Sequence, residues 1–198
     1  PSASIAMEEL KAIGADTFIP NIPGADGPNV IHACDLYGNE HRLGDKLVVV
    51  GGGFVGCEAV VHLQSSGKRI DVVEMREALM VDATEIPEEA FFTEYYMTHE
   101  FNYMNRSFVD VKEIDRVNIH LSTQCVEITP QGVWVEKEGA RRLLEADTVV
   151  MATGFRPNKK AVQAFADIAH DVIEIGDCDR VADILNTSAG GYRAAMRI

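Results

Sequence analysis

Residues 46–76 read KLVVVGGGFVGCEAVVHLQSSGKRIDVVEMR, and the reading of this stretch decides the fold. Leu47–Val50 is a continuous apolar run broken by three glycines. A continuous run, unlike an alternating one, suits a strand buried on both faces of a parallel sheet. Beyond the glycines, Val55, Ala59 and Leu63 recur at helical spacing, and Gly67 stands where a helix C-terminal cap belongs. A second apolar run, Ile70–Val73, ends at Glu74. The order strand, glycine turn, helix, strand is a β-α-β unit, which closes right-handed onto a parallel sheet. The expected fold class is therefore α/β, a three-layer Rossmann-like parallel sheet.

The turn itself, Gly51-Gly52-Gly53-Phe54-Val55-Gly56, is a GxGxxG between strand and helix. Each of the three spaced glycines has a distinct physical task. Gly51 allows the tight exit from the strand. Gly53 leaves room for a pyrophosphate to approach the backbone, and Gly56 lets helix and strand pack closely. Phosphates there meet unpaired N–H groups and the positive end of the helix dipole. Glu74 follows Gly56 by 18 positions, close to the spacing of about 20 at which an acid reads the ribose hydroxyls of an adenosine. Met75 and Arg76 continue this rim. Arg76 is either a solvated surface arginine or a contact for a 2′-phosphate. Glu74 would repel that phosphate, so NADH is favoured over NADPH.

The chain has 198 residues, 46% hydrophobic and 25% charged, the balance of a globular protein. Its net charge of −13 disfavours nucleic acid as a partner, because phosphate backbones would be repelled. No apolar run reaches the roughly 18 residues of a membrane-spanning helix. Cys34, Cys57, Cys125 and Cys178 are scattered and form no CxxC, so neither a disulfide framework nor a zinc site is indicated. Reduced thiols without a signal peptide point to the cytoplasm. Cys57, on the helix after the glycine turn, reads as a packing residue, and His62, His99 and His120 lack metal-ligand spacing.

Outside the β-α-β unit the pattern changes several times. FIPNIPGADGPN, residues 18–29, reads as an extended linker, preceded by a short helical stretch around Ala6–Ala12. Residues 82–104 are helical in pattern, with an aromatic stripe at Phe91, Phe92, Tyr95 and Tyr96. Residues 74–100 hold eight acidic side chains and one basic one. The combination fits an amphipathic helix on a core, or a docking surface. Residues 116–151 turn to β character with a turn at Pro130–Gly132, predicting an antiparallel β-ribbon insertion and a return to the parallel sheet at Thr148–Met151. Val172–Ile175 reads as a further strand, followed by Gly176-Asp177 and a terminal helix. Pro1 and the abrupt stop within GYRAAMRI both read as cuts in a longer polypeptide.

Three stretches in this order and spacing, VVVGGGFVGCEAVVHL, VVMATGFRPN and VIEIGDC, resemble the two-dinucleotide-domain flavoproteins of the pyridine nucleotide–disulfide oxidoreductase superfamily. The linker NIPGADGPNVIHACDLY adds to the likeness. The phrasing is most similar to the C-terminal part of old-yellow-enzyme-type NADH:flavin oxidoreductases, such as the 2-enoate and 2,4-dienoyl-CoA reductases. The resemblance implies that Gly51, Gly53, Gly56 and Glu74 hold NAD(H), and that Thr153 and Gly154 flank its nicotinamide half. It also implies that Asp177 binds a ribityl hydroxyl of FAD. Ala12-Ile13-Gly14 is similar to the family's crossing between domains, with Ile13 in place of a hydroxyl residue.

The domain division that follows is a linker and piece of a split FAD domain at 1–44, an NAD(H)-binding domain at 45–154, and the C-terminal piece of the FAD domain at 155–198. A second GxGxxG and the family's redox CxxxxC are absent. The remaining FAD half-domain and a catalytic domain would then belong to other parts of the polypeptide. FAD would be held only in the full-length protein, and this chain would carry no catalytic residue of its own. Its role would be to deliver hydride from NADH to a flavin. The alternative is a module that holds ADP as a structural ligand. Whether the protein forms a homo-oligomer is left open.

Overall fold

The computed structural model describes residues 13–64, 66–81, 100–102, 107–109, 116–165, 172–182 and 184–197. In chain order the elements are β1 (Ala15–Thr17), β2 (Val30–His32), β3 (Lys46–Val50), α1 (Phe54–Gln64), β4 (Arg69–Val73), β5 (Glu100–Asn102) and β6 (Ser107–Val109). There follow β7 (Val117–His120), β8 (Gln124–Thr129), β9 (Gly132–Lys137), β10 (Ala140–Glu145), β11 (Thr148–Met151), β12 (Phe155–Pro157), α2 (Lys159–Gln163) and α3 (Ile184–Ala195). They divide into two compact units, one spanning residues 19–154 and the other formed by residues up to Phe18 together with Phe155 onward.

The larger unit is built on a five-stranded parallel sheet in the order β2-β11-β3-β4-β7. The continuous apolar run of β3 is explained by its two covers. Leu47 and Val49 join Ala59, Val60 and Leu63 of α1 on one face. Val48 and Val50 join Val133, Val135 and Leu144 of a three-stranded antiparallel sheet, β8-β9-β10, on the other. Successive side chains of a strand point to opposite faces, so a strand packed between helix and sheet must be apolar at every position. The α/β, Rossmann-like fold with an antiparallel insertion is thus as expected, and the insertion itself supplies the third layer.

Two segments differ from expectation. The linker region contributes β2, which pairs with β11 and forms one edge of the parallel sheet, so residues 19–44 lie with the larger unit. Its three strand residues are too few for a periodic signal, and the prolines and glycines around them dominate the reading. The run at residues 117–120 joins the parallel sheet beside β4 instead of the ribbon. The expected helix over 82–104 lies largely outside the described residues, as do the aromatic stripe and the stretch at Ala6–Ala12. Its last part is corrected, because Glu100–Asn102 pairs antiparallel with Ser107–Val109.

In the smaller unit, β1 pairs antiparallel with β12. The Arg156 guanidinium sits 3.7 Å above the Phe18 ring, a cation–π contact. Asn158 caps α2, its Oδ1 accepting the Ala161 N–H at 2.9 Å. The expected strand at Val172–Ile175 does not form, and Val172, Ile173 and Ile175 stay exposed. A strand needs a second strand to pair with, and among the described residues none pairs with this segment.

Two stability predictions follow from the packing. Leu63, 1% exposed between α1 and the sheet, should cost about 2–5 kcal/mol when replaced by Ala, read as a lower urea midpoint in the fluorescence of Trp134, the only tryptophan. Burial pushes the Cys125 thiol up to about 11 from 9.0. The folded state therefore keeps the thiol protonated where the unfolded chain ionises. Stability should be unaffected below pH 9 and decline as pH rises from about 9 towards 11. Cys125→Ala should flatten that alkaline slope in urea titrations.

Candidate functional site

The strand ends form one row across the sheet: His32 opposite Met151, Met151 opposite Val50, Val50 opposite Val73, and Val73 opposite His120. Beyond this row the chain leaves β3 as the glycine turn, β11 as Ala152-Thr153-Gly154, and β4 as Glu74-Met75-Arg76. The sheet thus brings three of the four sequence-derived site segments to its carboxyl edge. The chain proceeds from β3 to β4 on one side, while β11 lies on the other, so the crevice between β3 and β11 is a topological switch point, where open α/β sheets bind ligands.

The glycine turn is shaped by close approach. Gly51 has φ +112°, and a Cβ there would fall 2.3 Å from the Ala152 carbonyl oxygen. A Cβ on Gly56 would fall 1.9 Å from the Gly51 oxygen. Both positions exclude any side chain, which is how α1 comes down onto β3. Gly53 is the opposite case, since a Cβ there would meet nothing within 4 Å. The space in front of it is open. The first backbone bond of α1 runs from the Cys57 N–H to the Gly53 carbonyl at 3.0 Å. The N–H groups of a first helical turn have no partner within the helix, and α1 starts directly after this open position. Phe54 and Val55 are half-buried against the core on the α1 side, and Cys57 is fully buried there, in the packing role expected of it.

Glu74 is 8% exposed, and its carboxylate is fastened at both oxygens. Oε2 accepts the Gly52 N–H at 2.7 Å, and Oε1 accepts the Arg76 N–H at 2.7 Å. A carboxylate has about four lone-pair sites, so two remain for other donors. Met75 is exposed at the rim. Arg76 has its side chain at the surface, and its carbonyl accepts the Ser122 N–H at 2.8 Å. Gly154 has φ +93° with open space around it, and Thr153 is half-buried beside it.

Asp177 lies in the smaller unit, on the single turn Gly176–Cys178, where its Oδ1 accepts the Ala182 N–H at 3.3 Å. Its carboxylate therefore braces its own loop. Cys34, Cys57, Cys125 and Cys178 form no disulfide, and no cluster among the described residues has the makings of a metal site. No helix among them is long and apolar enough to cross a membrane.

The sequence reading missed the loop that closes this site. Met80, at φ +49°, donates its N–H to the Gly52 carbonyl at 2.8 Å. Leu79 lies so near that a Cβ on Gly52 would be 2.5 Å from its Cδ2. Gly52 is thus held at its N–H by Glu74 and at its carbonyl by Met80. Gly52, Gly53, Phe54, Glu74, Arg76 and Met80 line one concave pocket. The signal in the sequence was the apolar triplet Leu79-Met80-Val81 immediately after the polar rim.

Comparison with known proteins matches residues 9–179 to the pyridine nucleotide-disulphide oxidoreductase family. Bilirubin reductase of Mediterraneibacter gnavus is 32% identical over 94% of this chain and 26% of its own length. NADH oxidase of Thermoanaerobacter brockii is 29% identical over 96% of this chain and 27% of its own length. Among solved structures, a 2-naphthoyl-CoA reductase superposes with a TM-score of 0.76 at 24% identity, covering 93% of this chain and 26% of that one. The chain spans about a quarter to a third of the curated relatives it matches first. With the glycine turn, the anchored acid and the sheet's switch point in the arrangement described, the chain belongs to the pyridine nucleotide-disulphide oxidoreductase family.

Proposed function

We propose that this chain is the NAD(H)-binding portion of a larger flavin-dependent oxidoreductase. In that protein its residues hold the dinucleotide so that hydride passes from the nicotinamide to a flavin. The observation that carries the reading is the contrast within the glycine turn. Gly51 and Gly56 are closed to side chains by the protein's own backbone, whereas Gly53 faces open space at the start of a helix. A glycine with no steric need for itself is explained by a ligand that uses the space. The pyrophosphate would lie there, on the first-turn N–H groups of α1.

Glu74 would receive the ribose hydroxyls on its two remaining lone-pair sites. Its position, buried and fixed before any ligand arrives, supports NADH over NADPH, because a 2′-phosphate would meet a carboxylate that cannot turn away. Thr153 and Gly154, one strand further along the edge, would border the nicotinamide half. Flavin, when bound, supplies the hydride acceptor. Of the groups that hold FAD in this family, the chain offers Asp177 alone, and its single GxGxxG is committed to NAD(H). The pyrophosphate cradle for FAD would therefore lie in another part of the full polypeptide.

The full protein would be a reductase or NADH oxidase, as matched relatives are named, and its placement with the old-yellow-enzyme type rests on the wording of the sequence motifs. Bilirubin reductase, cinnamate reductase, NADH oxidase and 2-naphthoyl-CoA reductase all extend well beyond the matched region. Substrate reduction would take place in that remainder.

Three variants test the reading, two by calorimetry and one by its failure to fold. Gly53→Val should lower stability by no more than about 1 kcal/mol, the cost of a poorer residue at a helix start, yet abolish NADH binding. Gly56→Val, in contrast, should not fold. Unchanged NADH affinity in Gly53→Val would overturn the site. Glu74→Gln should weaken NADH binding about 10- to 150-fold, the worth of a charged hydrogen bond of roughly 1.5–3 kcal/mol, and narrow the margin over NADPH. A wild-type protein that prefers NADPH would overturn the choice of cofactor, and equal affinity for ADP and NADH would favour a structural nucleotide over a hydride donor.

A further inference from the structure

His120 occupies the end of the edge strand β7 and touches three parts of the larger unit at once. Its backbone carbonyl accepts the Glu74 N–H at 3.0 Å. Its ring Nε2 is 2.6 Å from Asp71 Oδ1 on β4, and its Nδ1 is 2.9 Å from the Arg142 guanidinium on β10. The ring and the Asp71 carboxylate are both largely buried, with side chains 15% and 11% exposed.

The chemistry of the partners fixes the state of the ring. A guanidinium has only donors to offer, so Nδ1 must be bare and accept. Nε2 then carries the proton and donates it to Asp71. His120 is therefore neutral in this arrangement, wired between a carboxylate of the parallel sheet and an arginine of the antiparallel one.

The residues that follow His120 form a bracket under the ribose-reading acid. Thr123 donates its N–H to the Glu74 carbonyl at 2.9 Å, and Ser122 donates to the Arg76 carbonyl at 2.8 Å. From the ribbon, the Lys137 ammonium donates to the Leu121 carbonyl at 3.1 Å. The whole segment 120–123 is thus held from the ribbon side by Arg142 and Lys137, and it holds 74–76 in turn.

We propose that His120 is a positioning residue for nucleotide binding: as a neutral ring it clamps Arg142 of the ribbon to Asp71 of the sheet and so steadies the bracket that carries Glu74, and protonation of the ring releases the clamp. This rests on the reading of Glu74 as the ribose-binding acid. A solvent proton added at Nδ1 turns the acceptor into a donor that faces the Arg142 cation. That hydrogen bond is lost and two positive charges oppose each other, while the bond to Asp71 persists. Two further charged groups bond directly within this chain of contacts: Arg69, with its Nε 3.8 Å from Asp71 Oδ2, and Lys137. Both are cations and neither can take over the role of accepting from Arg142.

The test is the pH dependence of ADP-ribose binding between pH 8 and 5.5, by calorimetry, in wild type and Arg142→Leu. ADP-ribose carries the ribose that Glu74 would read and has no acid-labile nicotinamide ring. Wild-type affinity should fall about three- to tenfold on acidification, the worth of one ordinary hydrogen bond. Arg142→Leu should be weakened by a similar factor at pH 8 and show little further change, since it has no clamp to release. An equal pH slope in both proteins, or none in wild type, would overturn the proposal. Amide hydrogen exchange of Glu74 and Thr123 without nucleotide provides a second readout. Protection should drop on acidification in wild type only, and unchanged protection would refute the clamp. Should wild type bind ADP-ribose at no pH, the nucleotide reading fails, while the exchange data still decide whether the clamp exists.

Discussion

The structure depends on how closely one helix descends onto one strand. The Gly51 carbonyl oxygen occupies the space that any side chain at Gly56 would fill, and this single steric fact orders what surrounds it. It aligns the first turn of α1 with the end of β3. It leaves Gly52 with its N–H donated to Glu74 and its carbonyl accepting from Met80, so both peptide groups that flank its Cα are held. Through Glu74 it ties β3 to β4, and through Ala152, whose N–H donates to the Val50 carbonyl at 2.8 Å, it is level with the end of β11. The carboxyl edge of the sheet is therefore one connected piece of backbone.

A second feature is that the candidate site relies on peptide groups more than on side-chain cations. The chain carries a net charge of −13, which at first sight is a poor setting for an anionic cofactor. Oriented backbone N–H groups at a helix start provide a local positive field whatever the composition. The same means immobilise Glu74, whose two bonds inside the protein both come from main-chain N–H groups. The result is a pocket whose electrostatics follow from the path of the chain.

This explains which parts of the molecule were legible in the sequence. The β-α-β unit and its glycines could be read because each glycine answers to a local constraint: a turn, an open space or a close approach. The ribbon strands were legible from their alternation and from the turn at Pro130. What escaped was everything set by distant pairing. Val30–His32 is too short to announce itself as a sheet strand. Residues 117–120 look the same whether they join the ribbon or the parallel sheet. Val172–Ile175 has the composition of a strand, and no described neighbour pairs with it. In the site, Glu74 was found by its spacing, but its two anchors and the return of Met80 over Gly52 depend on a loop whose path no local pattern specifies. His120 was given no role because its partners, Asp71 and Arg142, are 49 and 22 residues away along the chain.

The double anchoring of Glu74 has a consequence for anyone who would retrain this domain to accept a phosphorylated ribose. In an open rim, an acid can be exchanged for a small or basic residue with little collateral loss. Here the acid doubles as a bolt between two strand ends. Removing it leaves the buried Gly52 N–H without its acceptor, a debt of about 1–3 kcal/mol, and takes from the part-buried Arg76 N–H its carboxylate partner. A successful redesign would have to supply a neutral acceptor at the same point, a side-chain amide or a hydroxyl, before it introduced any cation for the phosphate. If Glu74 reads the ribose as proposed, cofactor choice would thereby be coupled to the integrity of the scaffold.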